Sequence, residues 1–414
     1  MSEHTDAVII GIDWADKKHA VCTYDPISKS YSQCLIDHTP SALHEWASGL
    51  RQRFASRPLW VCLEQSRGAL VMALSCMTGI TCYPINPKSL ARYRESRYPS
   101  RSKNDPKDAR LLCDYLRHHH EQLRPLKRLD AQSARLSYLT AHRRKFVHER
   151  TRLLNRLRAE LKVYYPQIVT WFNDIHSSVL WQFLLKWPTL ENVQKVRSKT
   201  ILNFMYAHQV RRGKLLKELP KAIKQACPLH EDEVVIETSA LLVQGLCHQL
   251  LSLEATIRKY DDLLKEATTA HPEAWLVQDL PGAGPQLKPR LLAAFGTDRA
   301  RYQAPEVLAQ LAGIAPVCET SGNMQWTHFR WAASTFMRQT FHEFALHSLA
   351  SSKWAKAYYC AAIERGKSHH VAVRALAFKW IRILHACWMN RTPYDETAYL
   401  QRLNEKGSPY AKAA

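Results

Sequence analysis

Near the amino terminus, short runs of β-branched and aromatic residues alternate with helical stretches in an order that few folds accept. Residues 7–13 (AVIIGID), 19–24 (HAVCTY) and 30–36 (SYSQCLI) are separated by polar turns and predict an antiparallel three-strand meander. A helix is expected from Ser41 to Phe54, then a strand at 59–64 (LWVCLE), a helix near 67–78, a strand at 80–85 (ITCYPI) and a helix opening at Pro87. The order is βββαβαβα, and it places one acid at the end of the first strand, Asp13, and another at the end of the fourth, Glu64. A second acidic pair, Asp105 and Asp108 in SKNDPKDARLL, stands three residues apart at a helix start and so shares one side of that helix.

By analogy, this order is that of a ribonuclease H-like, RuvC-like fold. Acids at strand ends beside an acidic helix face suit a pair of divalent ions, which sit ~3.5–4 Å apart and need several converging carboxylates. With no His or Cys at matching spacing, the oxygen donors favour Mg²⁺, with Mn²⁺ as substitute, over zinc. Each acid alone has a plainer use. Asp105-Pro106-Lys107-Asp108 also reads as a helix start, with Asp105 as cap and Pro106 in the first position. Asp13 and Glu64 alone read as exposed turn acids. Their joint occurrence in this order, in a strongly basic chain, favours the metal reading.

The basic excess points to the partner. The chain has 414 residues, with 58 Lys and Arg against 37 Asp and Glu, a formal net charge of +21. Such a charge calls for a polyanion, bound through salt-sensitive phosphate contacts. No uninterrupted apolar span approaches the ~18 residues a membrane helix needs, and no basic stretch precedes an apolar signal core. A cytoplasmic, nucleoid-associated protein with no membrane partner is expected. Eleven cysteines without a CxxC pair give neither a disulfide framework nor a zinc knuckle, and they are expected to be reduced and mostly buried. His118-His119-His120 and the Cys227/His230 pair lack a second half at ligand spacing, so surface or core roles are assigned to both.

Three regions and a tail are expected: an α/β domain over 1–128, a basic helical and coiled-coil region over 129–270, a small mostly helical domain over 271–404, and a frayed tail over 405–414. Residues 134–162 carry nine Lys or Arg against two Glu, with Leu139, Phe146, Leu153, Leu157 and Leu161 at helical spacing and Arg143 and Arg150 interrupting the seam. Ile236, Val243, Leu246, Leu250, Leu253, Ile257, Tyr260 and Leu264 keep a three-four spacing that predicts a coiled coil and self-association. The stretch from Tyr165 to Glu231 is mixed in pattern and receives no assignment. Helices are expected at 287–295, 305–312, 331–350, 353–365 and 369–389.

At these residues the chain resembles the DEDD transposases, or recombinases, of the insertion sequence 110 family, which are guided by a bridge RNA. The matching stretches are GID at 11–13, LEQSRGALVMAL at 63–74, PINPKSLARYRES at 84–96 and KNDPKDARLL at 103–112, followed by LPGAG at 280–284, LAGIAP at 311–316 and SGN at 321–323. The resemblance implies that Asp13, Glu64, Asp105 and Asp108 hold Mg²⁺. It also implies that Ser321, in the G-x-x-P-x4-S-G context from Gly313 to Gly322, is a nucleophile that becomes joined to a DNA phosphate. Double-stranded donor and target DNA, a structured non-coding guide RNA and a homo-oligomer, from dimer to tetramer, are the partners it implies. The acidic and serine halves of one site are then expected to come from different subunits.

Without that context a serine before glycine marks a turn, and Thr320 is a competing hydroxyl. Arg330 and Arg338 are candidates to neutralise the scissile phosphate, and His328 to move a proton, although basic residues this abundant also serve as backbone clamps. Gly282 and Gly284 allow close backbone approach to a phosphate at a helix start, or mark an ordinary interhelical turn. Arg92, Arg94, Arg97, Arg101 and Lys103, just before the acidic pair, and Arg143, Arg144 and Lys145 in the basic helix are further nucleic-acid candidates. Two other functions fit the same composition: a metal-dependent junction nuclease that uses water, and a nucleic-acid-binding protein without catalysis.

Overall fold

A computed structural model describes residues 6–410 apart from 56, 65, 67, 98–103, 212, 323 and the side chain of 214. The chain divides into two compact units, Met1–Leu129 and Asp130–Ala414.

The first unit is a mixed α/β layer structure. Its strands β1 (Val8–Asp13), β2 (Lys18–Asp25), β3 (Ser30–Asp37), β4 (Leu59–Leu63) and β5 (Ile80–Pro84) form one sheet in the order β3-β2-β1-β4-β5. The β1–β2 and β2–β3 pairs are antiparallel, whereas β1–β4 and β4–β5 are parallel. Helix α1 (Pro40–Phe54) follows β3, α2 (Ala69–Cys76) follows β4, and α3 (Pro87–Arg97) and α4 (Asp105–His119) follow β5. Alternate residues of a strand point to opposite faces, so each strand divides its apolar residues between two cores. Val8, Ile10, Ile12, Val61 and Leu63 pack with Leu43, Leu50 and Phe54 of α1 and Leu70 and Leu74 of α2. Ile9, Cys22, Trp60 and Cys62 pack with Ala109, Leu112, Cys113 and Leu116 of α4. Covered on both faces, β1 and β4 have to be apolar without a break, which is why AVII and LWVCL carry no alternation.

Gly11 decides how closely α4 crosses the sheet. A Cβ at this position would lie 2.1 Å from the Ala109 carbonyl oxygen and 2.4 Å from the Cys113 amide nitrogen. The thiol of Cys113 donates to the Ile9 carbonyl at 3.3 Å along the same crossing. Side chains of any size at position 11 would lift the helix from the strand.

The second unit is built on two long antiparallel helices, α5 (Ala131–Tyr164) and α11 (Glu233–Thr269). Arg143 pairs with Asp261 at 2.6 Å and Arg150 with Glu254 at 2.7 Å, so seven residues forward on one helix match seven back on the other. The two arginines that interrupt the apolar seam of α5 therefore have their partners on α11. Between them, the unassigned stretch folds as α6 (Gln167–Trp171), α7 (Ser178–Lys186), α8 (Leu190–Gln194), α9 (Ser198–Ala207) and α10 (Gly213–Gln225). Trp181, Phe183, Val193 and Met205 from these helices join Leu157, Leu161, Val243 and Leu250 in one apolar core.

The other ends of the long pair, at Leu136 and Leu264, enter a second core with α12 (Leu287–Phe295), α13 (Pro305–Leu311), α14 (Thr335–Ser348), α15 (Lys353–Glu364), α16 (His369–Asn390) and α17 (Glu396–Glu405). Phe341, Phe344, Trp354, Trp380 and Trp388 fill it. A two-stranded hairpin, β6 (Val317–Ser321) and β7 (Met324–His328), stands between α13 and α14. The regions expected at 129–270 and 271–404 thus lie in one unit and keep separate cores.

Several expectations change here. The three-four repeat at 236–264 reads as a seam for self-association, yet Val243, Leu246, Leu250, Ile257 and Leu264 are buried within this chain, because α5 and α7 supply the complementary surfaces. The helix Glu233–Thr269 is also, by length and composition, apolar enough to cross a membrane, a span the uninterrupted-run criterion passed over. The hairpin occupies part of the stretch between the helices expected at 305–312 and 331–350, and α14 opens at Thr335 and not at residue 331. Of the cysteines, Cys22, Cys62, Cys82, Cys113 and Cys247 are buried, but Cys34, Cys76, Cys227, Cys318 and Cys360 are exposed; all eleven are free thiols.

Asp130 ties the start of α5 to the second core. Its carboxylate accepts from the Ser133 amide at 2.8 Å, from the Thr297 hydroxyl at 2.9 Å and from the Thr297 amide at 3.3 Å. Partial burial opposes its charge, but the bonds from Ser133 and Thr297 outweigh it and hold the carboxyl down to about 2. Asp130→Ala is expected to cost about 1–2 kcal/mol at neutral pH. A depressed acid stabilises above its unfolded value, so the gap from wild type should narrow as pH falls from about 4 towards 2, read by urea unfolding across that range. In the first unit, Gly11→Ala is expected to lower stability by about 3 kcal/mol, since backbone atoms must move, and urea unfolding of the sheet checks it.

Candidate active-site residues and nucleic-acid contacts

The crossing of α4 over β1 sets the first turn of α4, with Asp105 and Asp108, near the end of β1 that carries Asp13. Gly11 pairs with Cys62 in the parallel β1–β4 register; Asp13 is the last residue of β1, and Glu64 follows directly after the last residue of β4. Asp13 continues the alternation of Ile9 and Gly11, the face of β1 that α4 covers. On α4, Cys113 and Ala109 lie against Ile9 and Gly11, so the turn preceding them, with Asp105 and Asp108, runs towards the end of β1 that carries Asp13. Asp13 is half-buried, Glu64 and Asp105 are exposed, and Asp108 is buried at 4% exposure.

Two details concern the acidic pair. The helix cap is Asn104 and not Asp105: the Asn104 side chain accepts from the Lys107 amide at 2.9 Å, which leaves Asp105 in the first helical position and Pro106 in the second. The carboxylate of Asp105 is thereby not the N-cap acceptor. Asp108 meets Arg94 of α3, whose Nη2 and Nε lie 3.0 and 3.1 Å from Oδ1. This guanidinium sets a positive charge against the most buried of the four acids. Among the described residues no three His, Cys, Asp or Glu side chains are grouped closely enough to hold an ion. Arg97 is exposed at the end of α3, and Arg101 and Lys103 lie outside the described residues.

In the second unit, Ser321 is the last residue of β6 and pairs with Met324. Gly322 holds φ +57°, a left-handed conformation that favours glycine. The serine is exposed and shares a hairpin face with Glu319, Trp326 and Met324, whereas Thr320 alternates to the opposite face. Glu319 accepts from the Trp326 indole at 3.1 Å and lies 3.4 Å from His328. His328 pairs with Val317 at the far end of the hairpin, so the structure does not bring it to Ser321.

Arg330 and Arg338 are occupied at the hairpin's foot. Arg330 reaches the carbonyls of Ala315 and Pro316 at 3.4 Å, and Arg338 donates to those of Arg330 and Trp331 at 3.0 and 2.9 Å. Gly313, at φ +65°, is required there because a Cβ would meet Ala333 at 2.7 Å and the Arg338 guanidinium at 2.9 Å. The Gly-x-x-Pro context thus has a structural use, to seat the strand on Arg338.

The remaining candidates separate in the same way. At Gly282, with φ +77°, a Cβ would lie 2.6 Å from the Ser348 amide nitrogen, so this glycine serves close packing on the end of α14, while Gly284 has open space. Arg143 pairs with Asp261 and Arg144 with Glu343 at 3.3 Å, while Lys145 is exposed. His118 bonds the Asp114 carbonyl oxygen, and His119 and His120 pack on Tyr115 and Trp60. Two groups escaped the sequence reading: the Arg94–Asp108 pair, and a cationic cluster of Arg338 and His342 on α14 with His370 and Arg374 on α16. The i, i+4 spacing within each of these last two pairs was the available signal.

Similarity to known proteins converges on one family. Residues 10–166 match a transposase family of the DEDD type of IS110, and residues 274–360 match the transposase family of IS116, IS110 and IS902. The chain is 28% identical over 406 residues to the mini-circle protein of IS117 from Streptomyces coelicolor, covering 96% of this chain and 97% of the relative. It is 25% identical over 391 residues to the 44.8 kDa protein of insertion element IS116 from Streptomyces clavuligerus, covering 93% and 96%. The 43.6 kDa protein of IS110 from S. coelicolor is 23% identical over 394 residues, covering 94% and 95%. The chain belongs to the IS110 family of transposases, enzymes of DNA recombination.

Arg94→Gln is expected to destabilise the first unit by about 2 kcal/mol, since Asp108 would keep its buried charge without a partner. A double-mutant cycle with Asp108→Asn, read by thermal melting, should show the two losses to be far from additive.

Proposed function

We propose that the protein is an RNA-guided recombinase that cuts and rejoins donor and target DNA through a covalent link to Ser321, with a divalent-ion site at the four acids of its ribonuclease H-like unit. The observation that carries this is the placement of the acids in the fold: Asp13 ends β1, Glu64 follows the parallel neighbour β4, and α4, with Asp105 and Asp108 in its first turn, crosses β1 at Gly11. The donor set suits Mg²⁺ or Mn²⁺ in kind, since it is all carboxylate oxygen, and a metal at Asp108 would compete with Arg94. Bound there, the metal would polarise a phosphodiester and stabilise a leaving oxygen.

In the reaction, the Ser321 oxygen forms a bond to phosphorus while the phosphorus–oxygen bond to one sugar breaks. The serine proton leaves to a base, and the released sugar oxygen takes up a proton. The serine phosphodiester keeps the bond energy, so rejoining by the reverse attack of a sugar hydroxyl requires no nucleotide triphosphate. The exposed position of Ser321 at a hairpin tip suits attack on a large substrate. A net charge of +21 and the basic helix α5 support binding of a structured guide RNA by its backbone, with base pairing left to the RNA. Self-association into a dimer or tetramer would join acids and serine from different copies, and the protein would act in the cytoplasm.

A second reading is a junction nuclease that uses water. It is favoured by one observation, that Arg330 and Arg338 spend their guanidinium groups on main-chain carbonyls and His328 sits away from Ser321. Denaturing electrophoresis of labelled DNA decides between them. Recombination predicts a protein–DNA adduct that disappears in Ser321→Ala and falls at least a hundredfold in Asp13→Asn; normal cleavage by Ser321→Ala would establish the nuclease. RNA retained on the purified protein, with segments complementary to both DNAs, checks the guidance.

A further inference from the structure

At the foot of the serine hairpin, α14 and α16 enclose a cavity of about 260 Å³ lined by Phe329, Arg338, His342, Glu343, His370 and Arg374. The guanidinium carbons of Arg338 and Arg374 lie 4.7 and 4.6 Å from the centre of the same Phe329 ring. His342 and His370 face each other at 5.9 Å between ring centres, and His369 stands 5.2 Å from His370. Glu343 is the one carboxylate among the lining residues. Its oxygens are taken by Arg144 of α5, at 3.3 Å, and by Arg290 of α12.

The cavity is therefore short of negative charge. Two guanidinium groups share one ring face system, two imidazoles stand beside them, and the only acid is already neutralised. Burial, then Arg338, pulls the Arg374 guanidinium below its ordinary value. Burial, then His370, Arg374 and His369, likewise holds His342 down, against a weaker pull from Glu343. Arg338 also keeps a buried Nε without a hydrogen-bond partner. Such crowding of like charge costs stability, and an anion in the cavity would relieve all of it at once.

We infer that this cavity holds a backbone phosphate of DNA, with Arg374 and Arg338 as its fixed charges and His342 and His370 as protonatable ones. A guanidinium fork matches the planar spread of phosphate oxygens, and Phe329 keeps both forks oriented. The cavity lies beside a hairpin whose exposed Met324, Trp326 and Trp331, 65%, 37% and 80% accessible, offer faces for sugars or unstacked bases. A strand anchored at the hairpin's foot would run past that face. The inference rests on the transposase class alone and does not require Ser321 to be the nucleophile.

Binding an anion favours protonated imidazole, so affinity should rise as pH falls through the lowered range of His342. Other groups facing the imidazoles are His369, bonded to the Tyr359 hydroxyl at 2.8 Å, and Glu343, which is paired with Arg144 and Arg290.

The test is fluorescence anisotropy of the full chain with a labelled DNA duplex, against salt and pH, alongside single-stranded RNA of the same sequence. Arg374→Gln is expected to weaken DNA binding about tenfold and to reduce the slope of log affinity against log salt by about one. Arg374→Lys should keep that slope, and thermal melting of both variants reports whether the cavity still folds. The wild-type gain in affinity between about pH 7.5 and pH 5.5 should flatten in the double variant His342→Gln, His370→Gln. Unchanged salt slope in Arg374→Gln, or unchanged pH dependence in the double variant, overturns the inference; a slope lost for RNA but kept for DNA overturns its assignment to DNA. Failure of the nucleophile reading would appear as an absent protein–DNA adduct, which these binding measurements do not read, so the two failures leave different records.

Discussion

The approach of α4 to β1 at Gly11 is the constraint on which the placement of the acids depends. Backbone atoms of Ala109 and Cys113 occupy the space a side chain would need. Because the helix lies that low, its first turn comes level with the end of the strand, and Asp108 is buried beside the sheet instead of standing in solvent. The parallel pairing of β1 and β4 brings the ends of the two strands side by side, with Asp13 on one and Glu64 just past the other. Like charges so placed would repel, and Arg94 limits the repulsion at its most buried point.

Much of the first unit was legible because its strands obey simple periodicity and its turns are polar. Val8 to Ile12 and Leu59 to Leu63 carry no charged or polar side chain, as strands covered on both sides must. What was illegible depended on contacts distant in sequence. Capping by Asn104 could not be told from capping by Asp105, since both residues are good caps and only the backbone turn decides. The three-four repeat on α11 read as an intermolecular seam because an apolar stripe does not name its partner; the partner here is α5. Likewise the hairpin strands VCETS and MQWTH are exposed and short, so they carry no burial pattern to read. Of the serine site, the turn at Gly322 was visible, but the use of Arg330 and Arg338 as clamps was not.

The basic excess also divides once partners are known. Arg143 and Arg144, nucleic-acid candidates in the sequence, are bound with Arg150 and Arg290 to acids within the chain and act as internal ties. Arg374 stands on an aromatic ring beside another guanidinium and two imidazoles. Total charge therefore measures long-range attraction to a polyanion, while the local balance of charge marks where an anion can settle.

The α5–α11 pair has one further consequence. Its two ends belong to different cores, and its ion pairs fix the register between them, so the middle helices are mounted on a stiff beam and not on a linker. A beam of this kind is a ruler: removing one heptad from each helix would shorten it by about 10 Å without changing the facing residues' periodicity. The span between the two cores is thus set by helix length alone, and variants with longer or shorter beams would keep both cores while altering the reach of whatever they grip.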